Sequence, residues 1–168
     1  MEDLSRTGLL TTAAHPHRDD QGGLVCLGLG LGWLGPHYRL TRIPRAEQGC
    51  SLAGRAATLA RLPCSRPLHP SYTHSFALTP AWWVVIEQPL VVSVVALVWA
   101  LCCGRPLSSA LQWDASRPVV FHLVSRQTGA RHPVNLSCPA FFFLHTINAY
   151  EEAGHVVVDL CSYDSPVK

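Results

Sequence analysis

Charge is what this sequence has least of. Charged side chains make up 14% of its 168 residues, where about a quarter is usual for a soluble domain. The thirteen Lys and Arg are scattered and the formal net charge is +2 with histidine neutral. Nothing therefore suits a phosphate backbone, and no nucleic-acid partner is expected. No apolar run reaches the roughly 20 residues that a membrane-spanning helix needs. The longest, Leu90 to Cys103, is closed off by Glu87-Gln88-Pro89 on one side and Gly104-Arg105-Pro106 on the other. The N-terminal MEDLSRTGLL lacks the basic region and apolar core of a secretory signal. There is no Cys-x-x-Cys, and seven cysteines, with Cys102 and Cys103 adjacent, form an odd set. That pattern reads as reduced thiols in an intracellular compartment rather than a secreted disulfide scaffold. Asn135-Leu136-Ser137 fits a glycosylation sequon, but has no expected use without secretion.

Turn formers, by contrast, are plentiful. Thirteen Pro and twelve Gly punctuate the chain throughout, which suits many short strands better than a few long helices. Asp19-Asp20-Gln21-Gly22-Gly23 is a turn signal ahead of a strand over Leu24 to Leu29. His37 to Ile43 alternates and stops at Pro44. Arg45 to Pro70 reads as a connection with one short strand near Thr58 to Leu62. Ala81 to Ile86 and Val119 to Val124, rich in aromatic and β-branched residues, are expected to be buried strands. Phe141 to Tyr150 and His155 to Tyr163 flank Glu151-Glu152-Ala153-Gly154, which predicts a hairpin with a four-residue loop. The fold class is all-β, and the pattern alone leaves meander, sandwich and propeller open.

Nine histidines are also more than a chain this size usually carries. An isolated strand histidine is ordinarily a packed or surface residue, and His37, His69, His122, His132 and His155 are read that way, with His155 expected at the surface. His15, His74 and His145 stand in less ordinary settings, each at the edge of a predicted strand and far apart in sequence. Imidazole is a common ligand of iron, zinc and copper. Ligands on separate strands would make a site where a β scaffold converges, not a local zinc knuckle.

The segments TTAAHPHRDDQGG, PSYTHSFALTP, VVIEQPL and FFFLHTINAYEEAGHVVVDLCSYD resemble successive motifs of the carotenoid cleavage oxygenase family, in that family's order and over about Glu2 to Asp164. The branch resembled is that of the animal β-carotene oxygenases and the retinoid isomerohydrolase. The resemblance implies a seven-bladed β-propeller, of which residues 1–168 would be a central fragment of about two to three blades, incomplete at both ends. It implies non-haem Fe(2+) on the propeller axis, held by four histidines. Three match His15 (in the A-H-P motif, rather than His17), His74 (in S-Y-x-H-S-F) and His145 (in F-H-x-x-N, with Leu144 in place of Phe). The fourth would lie beyond this chain, as would the glutamates that orient family histidines. Glu87, Glu151 and Glu152 are not given that role, and a structural hydrogen bond is an equal reading of Glu87.

By the same resemblance the reaction is oxidative cleavage of a carotenoid double bond by O2 to apocarotenals. Glu87-Gln88-Pro89 and Asp159-Leu160-Cys161 look most like the eccentric-cleaving branch. Central cleavage and retinoid isomerohydrolase chemistry are the alternatives, and a catalytically inactive fragment or apolar-ligand-binding protein is the alternative of another class. A carotenoid or retinoid substrate is extracted from a bilayer, so peripheral membrane contact inside the cell, cytoplasmic or mitochondrial, is implied. Val94, Leu97, Val98, Trp99 and Leu101 fall in a segment that resembles a docking helix of the family, and Trp33 and Leu34, between glycines, form a second apolar tip. Val92 and Ala96 stand where relatives carry lysine, so the polar face expected of a surface helix is missing. The other reading of Leu90 to Cys103 is a buried core element.

Overall fold

A computed structural model describes residues 7–33, 35–45 and 55–166. Thirteen strands and one α-helix appear among them. The first sheet is built on a long hairpin, β3 (Leu24–Gly32) and β4 (Gly35–Ile43). The short β1 (Thr11–Thr12) and β2 (His17–Arg18) both pair with β3, and β5 (Ala57–Pro63) pairs with β4, all antiparallel. The second sheet has the order β11-β10-β7-β6, from β6 (Ala77–Leu78), β7 (Trp82–Glu87), β10 (Val119–Ser125) and β11 (Leu136–Cys138). Strands β8 (Leu90–Val92) and β9 (Leu111–Trp113) make a separate ribbon. The chain ends in the hairpin β12 (Phe142–Glu152) and β13 (His155–Tyr163).

Two apolar layers hold these sheets face to face. Val25, Leu27, Tyr38, Leu40, Leu62 and Phe76 meet Trp83, Val85 and Val124 between the first and second sheets. Ala77, Val84, Ile86 and Val119 meet Phe143 on the opposite face, with Val156 and Val158 packed alongside. Successive side chains of a strand point to opposite faces, so β7 sends Trp83 and Val85 one way and Val84 and Ile86 the other. A strand covered on both faces must be apolar without interruption, which is why Trp-Trp-Val-Val-Ile reads as a solid run.

Several sequence expectations need correcting. The final loop is two residues rather than four: β12 runs on to Glu152, and Ala153 (φ 49°) and Gly154 (φ 78°) alone turn the chain. Two consecutive residues in the left-handed region match the twist of the flanking strands. The run Leu90 to Cys103 is neither one element nor core. It splits at Ser93 into β8 and helix α1 (Val94–Cys102), with the Ser93 hydroxyl accepting from the Ala96 N–H at 3.2 Å as an N-cap. Within α1 only Ala100 is fully buried. Val95, Val98, Trp99 and Leu101 are exposed, and Val94 and Leu97 are half-buried. No helix among the described residues is long and apolar enough to cross a membrane.

Candidate metal centre

The three histidines singled out in the sequence lie on three different segments. His15 sits between β1 and β2, where the Ala13 N–H donates to the Leu27 carbonyl at 2.7 Å and the Ala14 N–H to the His74 carbonyl at 3.0 Å. His74 lies between an isolated bridge at Ser71 and strand β6. His145 lies in β12, inside a break in the β12–β13 register between Phe143 and Thr146. A bulge of this kind re-aims a side chain that regular alternation would point elsewhere.

The rings form a nearly equilateral triangle. Centroid separations are 5.0 Å for His15–His74, 4.7 Å for His15–His145 and 4.9 Å for His74–His145. One ring nitrogen from each lies within 4.8 Å of the other two. A cation about 2.1 Å from each of two nitrogens holds them no more than about 4.2 Å apart, so shifts well under an ångström would close the triangle on one ion. Among the described residues neither His15 nor His145 makes a side-chain hydrogen bond. His74 Nδ1 has only the Tyr72 hydroxyl at 3.4 Å. Partial burial, then the neighbouring His145 and His15, hold the His74 imidazole below its ordinary pKa, which favours the neutral form a metal requires. The donor set therefore fits a divalent ion of the iron, zinc or copper type.

His17, two residues from His15, is engaged elsewhere. Its Nε2 lies 2.8 Å from the Phe76 carbonyl and its ring stands edge-on to the Phe76 ring. The histidines read as ordinary stay outside the triangle. His155 is exposed, with Nδ1 3.0 Å from the Ala153 carbonyl. His132 packs edge-on against Trp82. His122 is 4% exposed and meets Glu87 at 2.7 Å. The Ser65 hydroxyl also donates to Glu87 at 3.0 Å, so Glu87 belongs to a buried polar cluster of the first apolar layer. Trp33 stands fully exposed at the tip of the β3–β4 hairpin. Leu34 beside it lies outside the described residues.

Two side chains that the sequence did not mark connect the segments carrying the histidines. Ser75, 4% exposed, donates its hydroxyl to the Leu144 carbonyl at 2.6 Å and accepts from the Thr146 N–H at 3.1 Å. Gln88, 3% exposed, donates to the Tyr72 carbonyl at 3.0 Å and accepts from the Phe143 N–H at 3.1 Å. The signal for Gln88 was a polar residue closing an apolar strand. For Ser75 there was none beyond its place next to His74.

Antiparallel sheets stacked so that three imidazoles from separate segments meet define a partial β-propeller with a histidine cluster at its convergence point. A family model described as retinal pigment epithelial membrane protein matches residues 1–168, and the chain belongs to this family of carotenoid oxygenases. It is 40% identical over 159 residues to the carotenoid isomerooxygenase of Drosophila melanogaster, covering 95% of this chain and 25% of that protein. It is 33% identical to the mitochondrial carotenoid-cleaving dioxygenase of Mustela putorius furo, covering 90% and 28%. It is 34% identical to the β,β-carotene 15,15'-dioxygenase of Gallus gallus, covering 89% and 30%. The chain thus spans between a quarter and a third of these relatives. The fold is shared with the cobalt-substituted apocarotenoid oxygenase of Synechocystis at a TM-score of 0.65 and 22% identity, over 98% of this chain and 33% of that one.

Proposed function

We propose that His15, His74 and His145 are ligands of an Fe(2+) ion, and that residues 1–168 form the central part of a single propeller domain. The whole protein is then a non-haem iron dioxygenase that cleaves a carotenoid double bond. One C=C bond is broken, both atoms of O2 are taken up, and two carbonyl products leave as apocarotenals or their ketone equivalents. The observation carrying this reading is the convergence of three neutral imidazoles, within 4.8 Å of one another, in a chain of the carotenoid oxygenase family.

Bound iron supplies the one-electron chemistry that lets O2 react with a closed-shell alkene. The chain's own contribution is positional. Neutral imidazoles leave the ion its full positive charge, and three of them leave coordination positions open. The Ala14-to-His74 hydrogen bond and the two braces on β12 fix how the segments stand to one another. The polyene offers no polar handle, so the substrate is placed by shape and apolar contact, and it is delivered from a bilayer. The apolar helix α1 and the exposed Trp33 are the surfaces suited to peripheral membrane contact. The setting is intracellular, in the cytoplasm or the mitochondrion.

Eccentric cleavage is the position favoured by the Glu87-Gln88-Pro89 and Asp159-Leu160-Cys161 stretches. A second reading, cleavage coupled to isomerisation of a double bond, is favoured by the 40% identity to an isomerooxygenase. Product length and double-bond geometry, read by mass spectrometry and NMR after incubating the full-length protein with β-carotene and O2, separate the two. The ligand assignment is tested by metal analysis of two variants of the same hairpin. His145→Ala should purify without iron, and His155→Ala should keep it. Equal iron in both would overturn the assignment.

A further inference from the structure

We propose that Ser75 is a positioning residue for the metal centre, setting where His145 stands relative to His74. In the β12–β13 ladder Phe143 pairs with Ser162 and Thr146 with Leu160, and the register slips between them. The slip frees His145 to leave the plane of the sheet, but it also removes the cross-strand bonds that would hold the peptide groups on either side of it. The Ser75 hydroxyl replaces them, donating to the Leu144 carbonyl before His145 and accepting from the Thr146 N–H after it. One hydroxyl has the single proton and the lone pairs to do both.

Ser75 follows His74 directly in the chain, so the side chain that holds the His145 backbone is attached to the backbone of a neighbouring ring. The Thr146 hydroxyl extends the arrangement, donating to the Phe76 carbonyl at 3.2 Å. That same carbonyl receives His17 Nε2 at 2.8 Å. His15, His74 and His145 are thereby tied through His17, Phe76, Thr146 and Ser75, without any of these four reaching the triangle itself. Groups that orient the ligands of a metal typically change its affinity by about 10–100-fold when removed. The inference rests on the three histidines being ligands, and the test separates failure of the one from failure of the other.

The test titrates cobalt(II) into the metal-free full-length protein, following affinity and the visible cobalt absorption. The variants are Ser75→Ala, Ser75→Thr, His145→Ala and Thr79→Ala. Thr79 is a buried hydroxyl that donates to Glu151 at 2.7 Å, so its loss reports destabilisation of the same hairpin without touching the histidines. Ser75→Ala should bind cobalt about 10–100-fold more weakly, with an altered absorption band. Ser75→Thr, which keeps the hydroxyl, should recover most of the affinity, and Thr79→Ala should lower the unfolding midpoint and leave the cobalt spectrum unchanged. If His145→Ala binds cobalt as the parent does, the ligand reading fails and the Ser75 reading with it. If His145→Ala loses cobalt while Ser75→Ala matches the parent in affinity and spectrum, only the Ser75 reading fails. Equal effects of Ser75→Ala and Thr79→Ala on cobalt, or a Ser75→Ala protein that does not fold while Thr79→Ala does, make Ser75 a stability residue and overturn the proposal.

Discussion

Replacing Gly28 with alanine should loosen the metal centre from a distance. Gly28 lies in the middle of β3, opposite Thr12 of β1. A Cβ at that position would stand 1.9 Å from the Thr11 carbonyl oxygen and 3.2 Å from Leu9 Cδ2. Carbon and oxygen in contact sit about 3.3–3.6 Å apart, so β1 must retreat by well over an ångström. The retreat breaks the bonds from the Leu10 N–H to Leu29 and from the Ala13 N–H to Leu27, both 2.7 Å. Two backbone bonds at about 0.5–1.5 kcal/mol each and about 1–3 kcal/mol of overpacking strain give a loss of about 2–6 kcal/mol. Strand β1 leads into Ala14 and His15, so cobalt affinity should fall as well. Gly154→Ala is the control. Its φ is 78° and nothing lies within 4 Å of the added carbon, so only the backbone penalty of about 1–2 kcal/mol applies. Urea unfolding of the metal-free full-length protein and cobalt titration measure both effects. A Gly28→Ala protein no less stable than Gly154→Ala, with unchanged cobalt affinity, would refute the reasoning.

Two further expectations concern acid and membranes. The Arg42 guanidinium, followed by the backbone N–H groups of Gly23 and Gln21, holds the Asp19 carboxyl below its ordinary pKa. A group with a depressed folded pKa contributes stability above its unfolded pKa, near 4, and loses it as pH falls through the folded value. Asp19→Asn should therefore lower stability at pH 7 and flatten its decline below about pH 4; parallel pH–stability curves for the two proteins would contradict this. In vesicle co-sedimentation, Val98→Ser with Trp99→Ser should reduce binding of the full-length protein to phospholipid while leaving its iron content intact. Unchanged sedimentation would remove α1 as the docking element.

The strands were largely legible because their patterns are local. Alternation in His37–Ile43, the solid apolar run of β7, and the Gly-containing break before His155 each follow from what one strand needs of its own neighbours. The hairpin loop was misjudged in length because Glu151 and Glu152 look like turn residues. Yet Glu151 is held in the strand by the Thr79 hydroxyl and the Ala81 N–H, 70 or more positions away in the chain. Apolarity also did not say which way Leu90 to Cys103 would face. A run of apolar side chains is compatible with core or with an exposed helix, and the choice falls to whatever packs, or does not pack, against it.

The sequence by itself determined the family, the all-β class and the identity of the three histidines, because motif order and residue type are carried by the chain and survive without its shape. It also distinguished His15 from His17, through the A-H-P motif. Only the tertiary structure decided that the three rings meet within 4.8 Å, that His17 is taken up by the Phe76 carbonyl, and that Ser75 and Gln88 brace the segments that bear the rings. Those facts depend on how separate sheets stack and on one slip of register in β12. Hydrogen bonds between positions about 55 to 70 apart leave no periodicity for a sequence to display.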